Sequence, residues 1–267
     1  MGWQFFPTFK YSAWEEAECI RFIDLYLNLI MKTLSLLITF FLTSITVSVS
    51  GKNISSTEKA EPVKISSNVS SAMIYDSLNL QQFGLSKRVF DLAMKGWKHL
   101  KRTGKVVNES IISIVDFSQP SNKKRLYVID LAGMQLLFNT YVAHGRRSGK
   151  ETAIRFSNRP KSLESSVGFY VTAEPYIGSN GYSLRLNGME HGFNNNALRR
   201  EIVLHGADYV SEDYISANGC LGRSWGFPAV PMEQSHDIID SIKSGSCLFI
   251  YSPQVRYLKG SKVLNSS

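Results

Sequence analysis

Residues 205–231 read "HGADYVSEDYISANGCLGRSWGFPAVP". They begin within the apolar run "REIVLHGA" (200–207), which has the length and composition of a strand buried in a sheet. That run delivers His205 at its end, with Gly206 immediately after it. An imidazole at a strand tip beside a flexible glycine can be both accessible and oriented, as a general base must be. A lone histidine in such a place is more often structural than chemical, and the glycine-rich segment that follows shifts the balance. It offers two registers for a reactive side chain, Gly219-Cys220-Leu221 and Ser224-Trp225-Gly226-Phe227-Pro228. A thiol after a glycine sits where backbone N–H groups can approach a developing oxyanion, and a nearby imidazole stabilises the thiolate. On these residues alone Cys220 with His205 is the default acyl-transfer pair. The competing reading of Cys220 is a small buried hydrophobe.

Working outward, the chain from Ile111 is a series of short strand-like runs broken by Gly, Asn, Ser and Pro: "IISIVDFS", "KRLYVIDLA", "QLLFNTYVAHG", "VGFYVTAEPYIG", "YSLRLNGM" and "GSCLFIYSP". The second and third of these read as a hairpin turning near Ala132-Gly133. Before them, Leu85, Val89, Phe90, Ala93, Trp97 and Leu100 form a helical stripe, with Ser86 as N-cap and Gly104 as stop. A second, short helix fits "MEQSHDIIDSIKSG" after Pro231, closed by Gly245. The expectation is one α+β, mainly β domain over 71–255, with an N-terminal helical cover and a C-terminal tail at 256–267. No internal repeat is visible.

Upstream, "MKTLSLLITFFLTSITVSVS" places a lysine before an uncharged apolar run that closes on Ser48-Val49-Ser50, the pattern of a cleaved export signal over 31–50. Residues 1–30 then read as an N-terminal extension from a start codon assigned too far upstream. The rival is an uncleaved anchor, which the Thr and Ser content of the run makes a weak span. Residues 51–70 are rich in Ser, Lys and Asn and read as a flexible linker. The expected location is the periplasm or cell envelope, with transient membrane contact through the signal segment. The formal charge of +8 becomes +9 without residues 1–50, since three Lys/Arg and four Asp/Glu lie there. Such a charge fits either simple solubility or attraction to an anionic envelope polymer. No motif supports a nucleic-acid partner. Cys220 and Cys247 are too few for a disulfide scaffold, Cys247 reads as a buried inert thiol, and the histidine spacing gives no zinc pattern.

The decapeptide "GRSWGFPAVP" at 222–231 resembles the Gly-Arg-Ser-Trp/Tyr-Gly-Cys-Pro-Ala-Val-Pro motif of one branch of the murein L,D-transpeptidases, whose catalytic domain has the YkuD fold. Further stretches agree in order, among them "DFSQPSNKKRLYVIDL", "LFNTYVAHGRRSG", "GYSLRLNGMEHGFNN" and "IVLHGADYV". The resemblance implies that fold and a cofactor-free, metal-free cysteine chemistry on peptidoglycan stem peptides. In it a thiolate attacks the carbonyl before the D-alanine of a stem tetrapeptide, D-alanine leaves, and an amine of a neighbouring stem resolves the thioester. It matches His205 to the base, Gly206 to its neighbour, and Ser224 with Gly226 to the turn around the nucleophile. The nucleophile position itself falls on Phe227, and a phenyl ring cannot attack a carbonyl. Three readings follow. Cys220, fifteen residues after His205, is a relocated nucleophile, residue 227 is a sequence error, or the domain is a pseudoenzyme that binds stem peptides or scaffolds other wall enzymes. Arg223 either takes a stem carboxylate bidentately, the reading its place in the motif favours, or pairs with an acid of the domain, and His144 either shapes the substrate cleft or is structural.

Overall fold

The computed structural model describes residues 70–266, together with Lys32. The expected extension, export signal and linker therefore lie outside the described residues, apart from Lys32 and Ser70. Among the described residues no helix is long and apolar enough to cross a membrane.

Helix α1 (Ser71–Ser77) begins on Ser70, whose hydroxyl accepts from the Met73 N–H. Helix α2 (Lys87–Arg102) begins on Ser86, which accepts from the Val89 N–H, and ends at Thr103 before Gly104. Its expected stripe is buried at Val89, Phe90, Ala93, Trp97 and Leu100. Gly96 belongs to the same buried face, where a Cβ would lie 2.0 Å from the Phe169 ring, so only glycine lets the helix lie this close to the sheet.

Eight strands form one mixed sheet in the order β3-β2-β1-β8-β4-β5-β6-β7. They are β1 (Ile111–Asp116), β2 (Leu126–Asp130), β3 (Gln135–Thr140), β4 (Gly168–Gly178), β5 (Gly181–Gly188), β6 (Val203–Ala207), β7 (Ala229–Pro231) and β8 (Cys247–Tyr251). The β1–β8 and β6–β7 pairs are parallel and the others antiparallel. Alternate residues of the central strands go to opposite cores. Ile112, Ile114 and Phe249 face α1 and α2, while Val115, Leu248 and Ile250 face Ile238, Ile239 and Ile242 of helix α4 (Met232–Ile242). This double burial is why these strands read as continuous apolar runs. β7 has three residues, too few to show alternation, and was not visible in the sequence.

After β3 the chain comes round to the opposite edge of the sheet, where Ala143 bridges Ala229 of β7 and Gly145 bridges Ser224. The sheet is thereby nearly closed into a barrel, and the closure point is the 222–231 segment.

The expected C-terminal tail contains two short helices, α5 (Val255–Gly260) and α6 (Lys262–Asn265), with Tyr257, Val263 and Leu264 buried against the α2 side. A buried carboxylate fastens them: Glu190 accepts from the Phe169 N–H (2.8 Å), the Tyr257 hydroxyl (2.9 Å) and the Ser261 hydroxyl.

Candidate functional site

His205 sits in β6 between Ser183 of β5 and Ala229 of β7. It is 5% exposed. Its Nδ1 lies 2.8 Å from the Gly206 carbonyl. A carbonyl only accepts, so Nδ1 carries the proton and Nε2 presents a lone pair. Nε2 is buried and has no hydrogen-bond partner among the described residues. Burial holds the imidazole pKa below its ordinary value, with the Gly206 bond opposing. The ring is therefore neutral at pH 7.

The turn facing it is held from behind by the 143–146 segment. The Ser224 N–H donates to the His144 carbonyl at 3.0 Å, and the Arg146 N–H donates to the Ser224 carbonyl at 2.7 Å. Within the turn the Ser224 hydroxyl accepts from the Gly226 N–H (3.1 Å) and donates to the Phe227 carbonyl (2.6 Å). Gly226 has φ +119°, and a Cβ there would lie 2.8 Å from the Glu164 carbonyl. This bend presents the Phe227 ring to His205, with centroids 5.8 Å apart and planes at 77°. Both rings line a cavity of about 810 Å³, together with Gly206, Arg223, Ser224 and Trp225. Trp225 is 65% exposed on its wall. On the far side of Trp225 and Phe227 lies a second cavity of about 470 Å³, bordered by Lys161 and Arg199.

Cys220 lies elsewhere. It follows Gly219, the left-handed C-cap of helix α3 (Glu212–Asn218), and it is 7% exposed. The Leu221 N–H donates to the Ser121 hydroxyl and the Gly222 N–H to the Tyr209 carbonyl, which turns residues 219–222 toward the 119–122 loop and the segment after β6. Cys220 does not line the His205 cavity and makes no hydrogen bond with the imidazole. It and Cys247 are both free thiols, and burial pushes the Cys247 thiol strongly up.

His144 is fully buried and its ring does not line the cavity. Its Nδ1 lies 2.9 Å from Nη2 of Arg125, whose guanidinium also donates to the Val142 and Gln119 carbonyls. The cationic donor keeps Nδ1 unprotonated, so Nε2–H donates to the Gly149 carbonyl at 3.3 Å. That carbonyl also accepts from Arg223 Nη1 at 3.2 Å. His144 thus braces the turn through its own carbonyl and Arg223 through Gly149. Burial and Arg125 hold its pKa down at about 3, and burial lowers that of Arg125 to about 9.

Of the residues singled out in the sequence, the fold gathers His205, Gly206, Arg223 and Ser224 at one cavity, with Gly226 shaping the bend. It leaves the Cys220 and His144 side chains outside. Arg125 was missed, because a lone Arg before a strand carries no sign that it will be buried. Tyr182, stacked on His236 at 4.1 Å beside the same cavity, was missed likewise. Among the described residues no His, Cys, Asp or Glu side chains gather as metal ligands.

A family model of the L,D-transpeptidase catalytic domain matches residues 81–251, which span α2, the whole sheet, His205 and the turn. The chain belongs to the L,D-transpeptidase catalytic domain family. Solved structures similar to it include an L,D-transpeptidase from Mycobacterium tuberculosis, with 14% identity over 54% of this chain and 58% of that one at a TM-score of 0.33. Another is an L,D-transpeptidase from Mycobacterium smegmatis, with 10% identity over 54% and 59% and a TM-score of 0.33. A third is the helical cell shape determining protein of Campylobacter jejuni, with 11% identity over 61% and 56% and a TM-score of 0.37. The chain spans less than two thirds of the length of each of these. No curated protein matches it. Within the L,D-transpeptidase fold, the closure point of the sheet is therefore the place where His205 and the turn meet.

Proposed function

We propose that this L,D-transpeptidase-type domain is an exported, cell-envelope protein that binds peptidoglycan stem peptides without acylating them. The observation that carries the reading is the contact between Phe227 and His205, with Cys220 outside their cavity. Acyl transfer needs a thiolate in hydrogen-bond reach of its base and of the substrate carbonyl, and the side chain in that place is a phenyl ring. Arg223 lies at the cavity wall, held at one nitrogen by Gly149 and exposed to solvent, and a guanidinium so placed suits the carboxylate of a stem. Trp225 and Ile177, 65% and 76% exposed, supply apolar surface for the side chains of a short peptide.

Titrating the full chain with a stem tetrapeptide tests this. Saturable heat of binding with no release of D-alanine is expected. Release of D-alanine by the wild-type chain, abolished by Cys220→Ala, would contradict the reading and restore Cys220 as a relocated nucleophile.

A further inference from the structure

The formal charge of the chain is +8, and its distribution is uneven. Residues 85–105 and 255–266, which contain α2 and the two C-terminal helices, carry ten Lys/Arg and a single acid, Asp91, an excess of nine. All other residues taken together come to minus one. These two segments lie side by side, with α6 packed on α2 and the Ser266 hydroxyl 2.6 Å from His99 Nδ1. Lys87 is matched by Asp91 at 3.0 Å and Lys101 by Glu109 at 2.6 Å. Arg88, Lys95 and Lys98 are exposed on the side of α2 away from its buried stripe, and Arg256, Lys259 and Lys262 are exposed on α5 and α6. Among the described residues none of these six pairs with a carboxylate.

Like charges on neighbouring helices repel one another, so segments holding the whole excess charge of the chain weaken the fold unless anions cover them. On α2 Arg88 and Lys95 are seven residues apart, about 10 Å along one side of the helix. Cations spaced in this way along a helix suit a chain of regularly spaced anions better than one compact ligand. A bilayer fits less well. Interfacial helices insert an apolar face, whereas the apolar face of α2 is buried in the core, and Val255 is the one large apolar residue strongly exposed on these helices.

We propose that this helical face binds a non-nucleic anionic polymer, a chain of polyol units with a phosphodiester in each repeat. The face uses no residue of the His205 cavity, whose lining comes from β4–β6, the segments flanking them, the 223–227 turn and α4. Polymer and stem peptide can then be held at once.

The test uses the full chain and poly(glycerol phosphate). Binding is expected, and it should weaken at least about tenfold between low and moderate salt, as counterion release requires. Lys95→Glu with Lys259→Glu should lower affinity about tenfold or more. Lys123→Glu with Lys150→Glu, which makes the same change in net charge elsewhere on the surface, should lower it about threefold at most. Circular dichroism confirms that both variants are folded, and stem-peptide titration should be the same in both, which separates this proposal from the reading of the cavity. Equal loss in the two variants, no binding of the polymer, or tighter binding to phosphatidylglycerol vesicles or duplex DNA would each overturn it.

Discussion

The two halves of one loop, 219–222 and 224–227, both place a glycine beside a side chain that the sequence nominates for chemistry, yet their backbones are tied to different neighbours. The first half ends a helix in a left-handed glycine and then bonds to Ser121 and Tyr209, so Cys220 goes into packing. The second half bonds to His144 and Arg146 and bends on Ser224 and Gly226, so the side chain at 227 meets the imidazole. Spacing from His205 along the chain favoured Cys220; hydrogen-bond partners across the sheet favour position 227. Which side chain meets His205 depends on which strand edge holds the turn, a property of tertiary pairing.

Each half can be perturbed separately. The largest effect is expected from Phe227→Cys, which puts a thiol beside the His205 ring. Iodoacetamide labelling at neutral pH should be fast at the new thiol and slow at Cys220 in the wild type, with the site read by peptide mass mapping. Next, Gly226→Ala should destabilise the domain by more than about 1 kcal/mol, since the residue has a positive φ and no space for a Cβ; urea unfolding measures it. Gly219→Ala, also at positive φ but with nothing near its absent Cβ, should cost less, which sharpens the contrast. Arg223→Ala should weaken stem-peptide affinity about tenfold, the scale of one charged hydrogen bond, as read by calorimetry. Cys220→Ala should leave that affinity unchanged.

Acid should act on the second half through its support. The folded pKa of His144 is about 3 and lies below the ordinary imidazole value of 6.5, so the unfolded chain binds the proton more readily between the two. The stability His144 contributes is fully present above pH 6.5 and is lost as pH falls toward 3. The depressed pKa of His205 acts with the same sign. Melting temperature should drop across that window in the wild type and drop less in His144→Gln, which keeps a donor for Gly149 and cannot titrate.

Much of this architecture was legible beforehand. The stripe of α2, its Ser86 cap and the doubly buried strands follow from periodicity, and the hairpin at Ala132-Gly133 from turn chemistry. The family likeness placed His205 and the turn together. Local pattern could not reveal β7, whose three residues are a strand only because β6 and Ala143 flank them. Nor could it reveal Arg125, which is buried by its carbonyl partners, or helices α5 and α6, whose few apolar residues matter because Glu190 pins them. The two registers at Cys220 and Phe227 are alike in this respect: the sequence holds both, and non-local hydrogen bonds decide which side chain faces the imidazole.

Intact-mass analysis after incubation with a stem tetrapeptide tests that choice most directly, comparing the wild type, Cys220→Ala, and the double variant Phe227→Cys/Cys220→Ala. The account predicts a covalent acyl adduct in the double variant alone. An adduct on the wild type that vanishes in Cys220→Ala would contradict it.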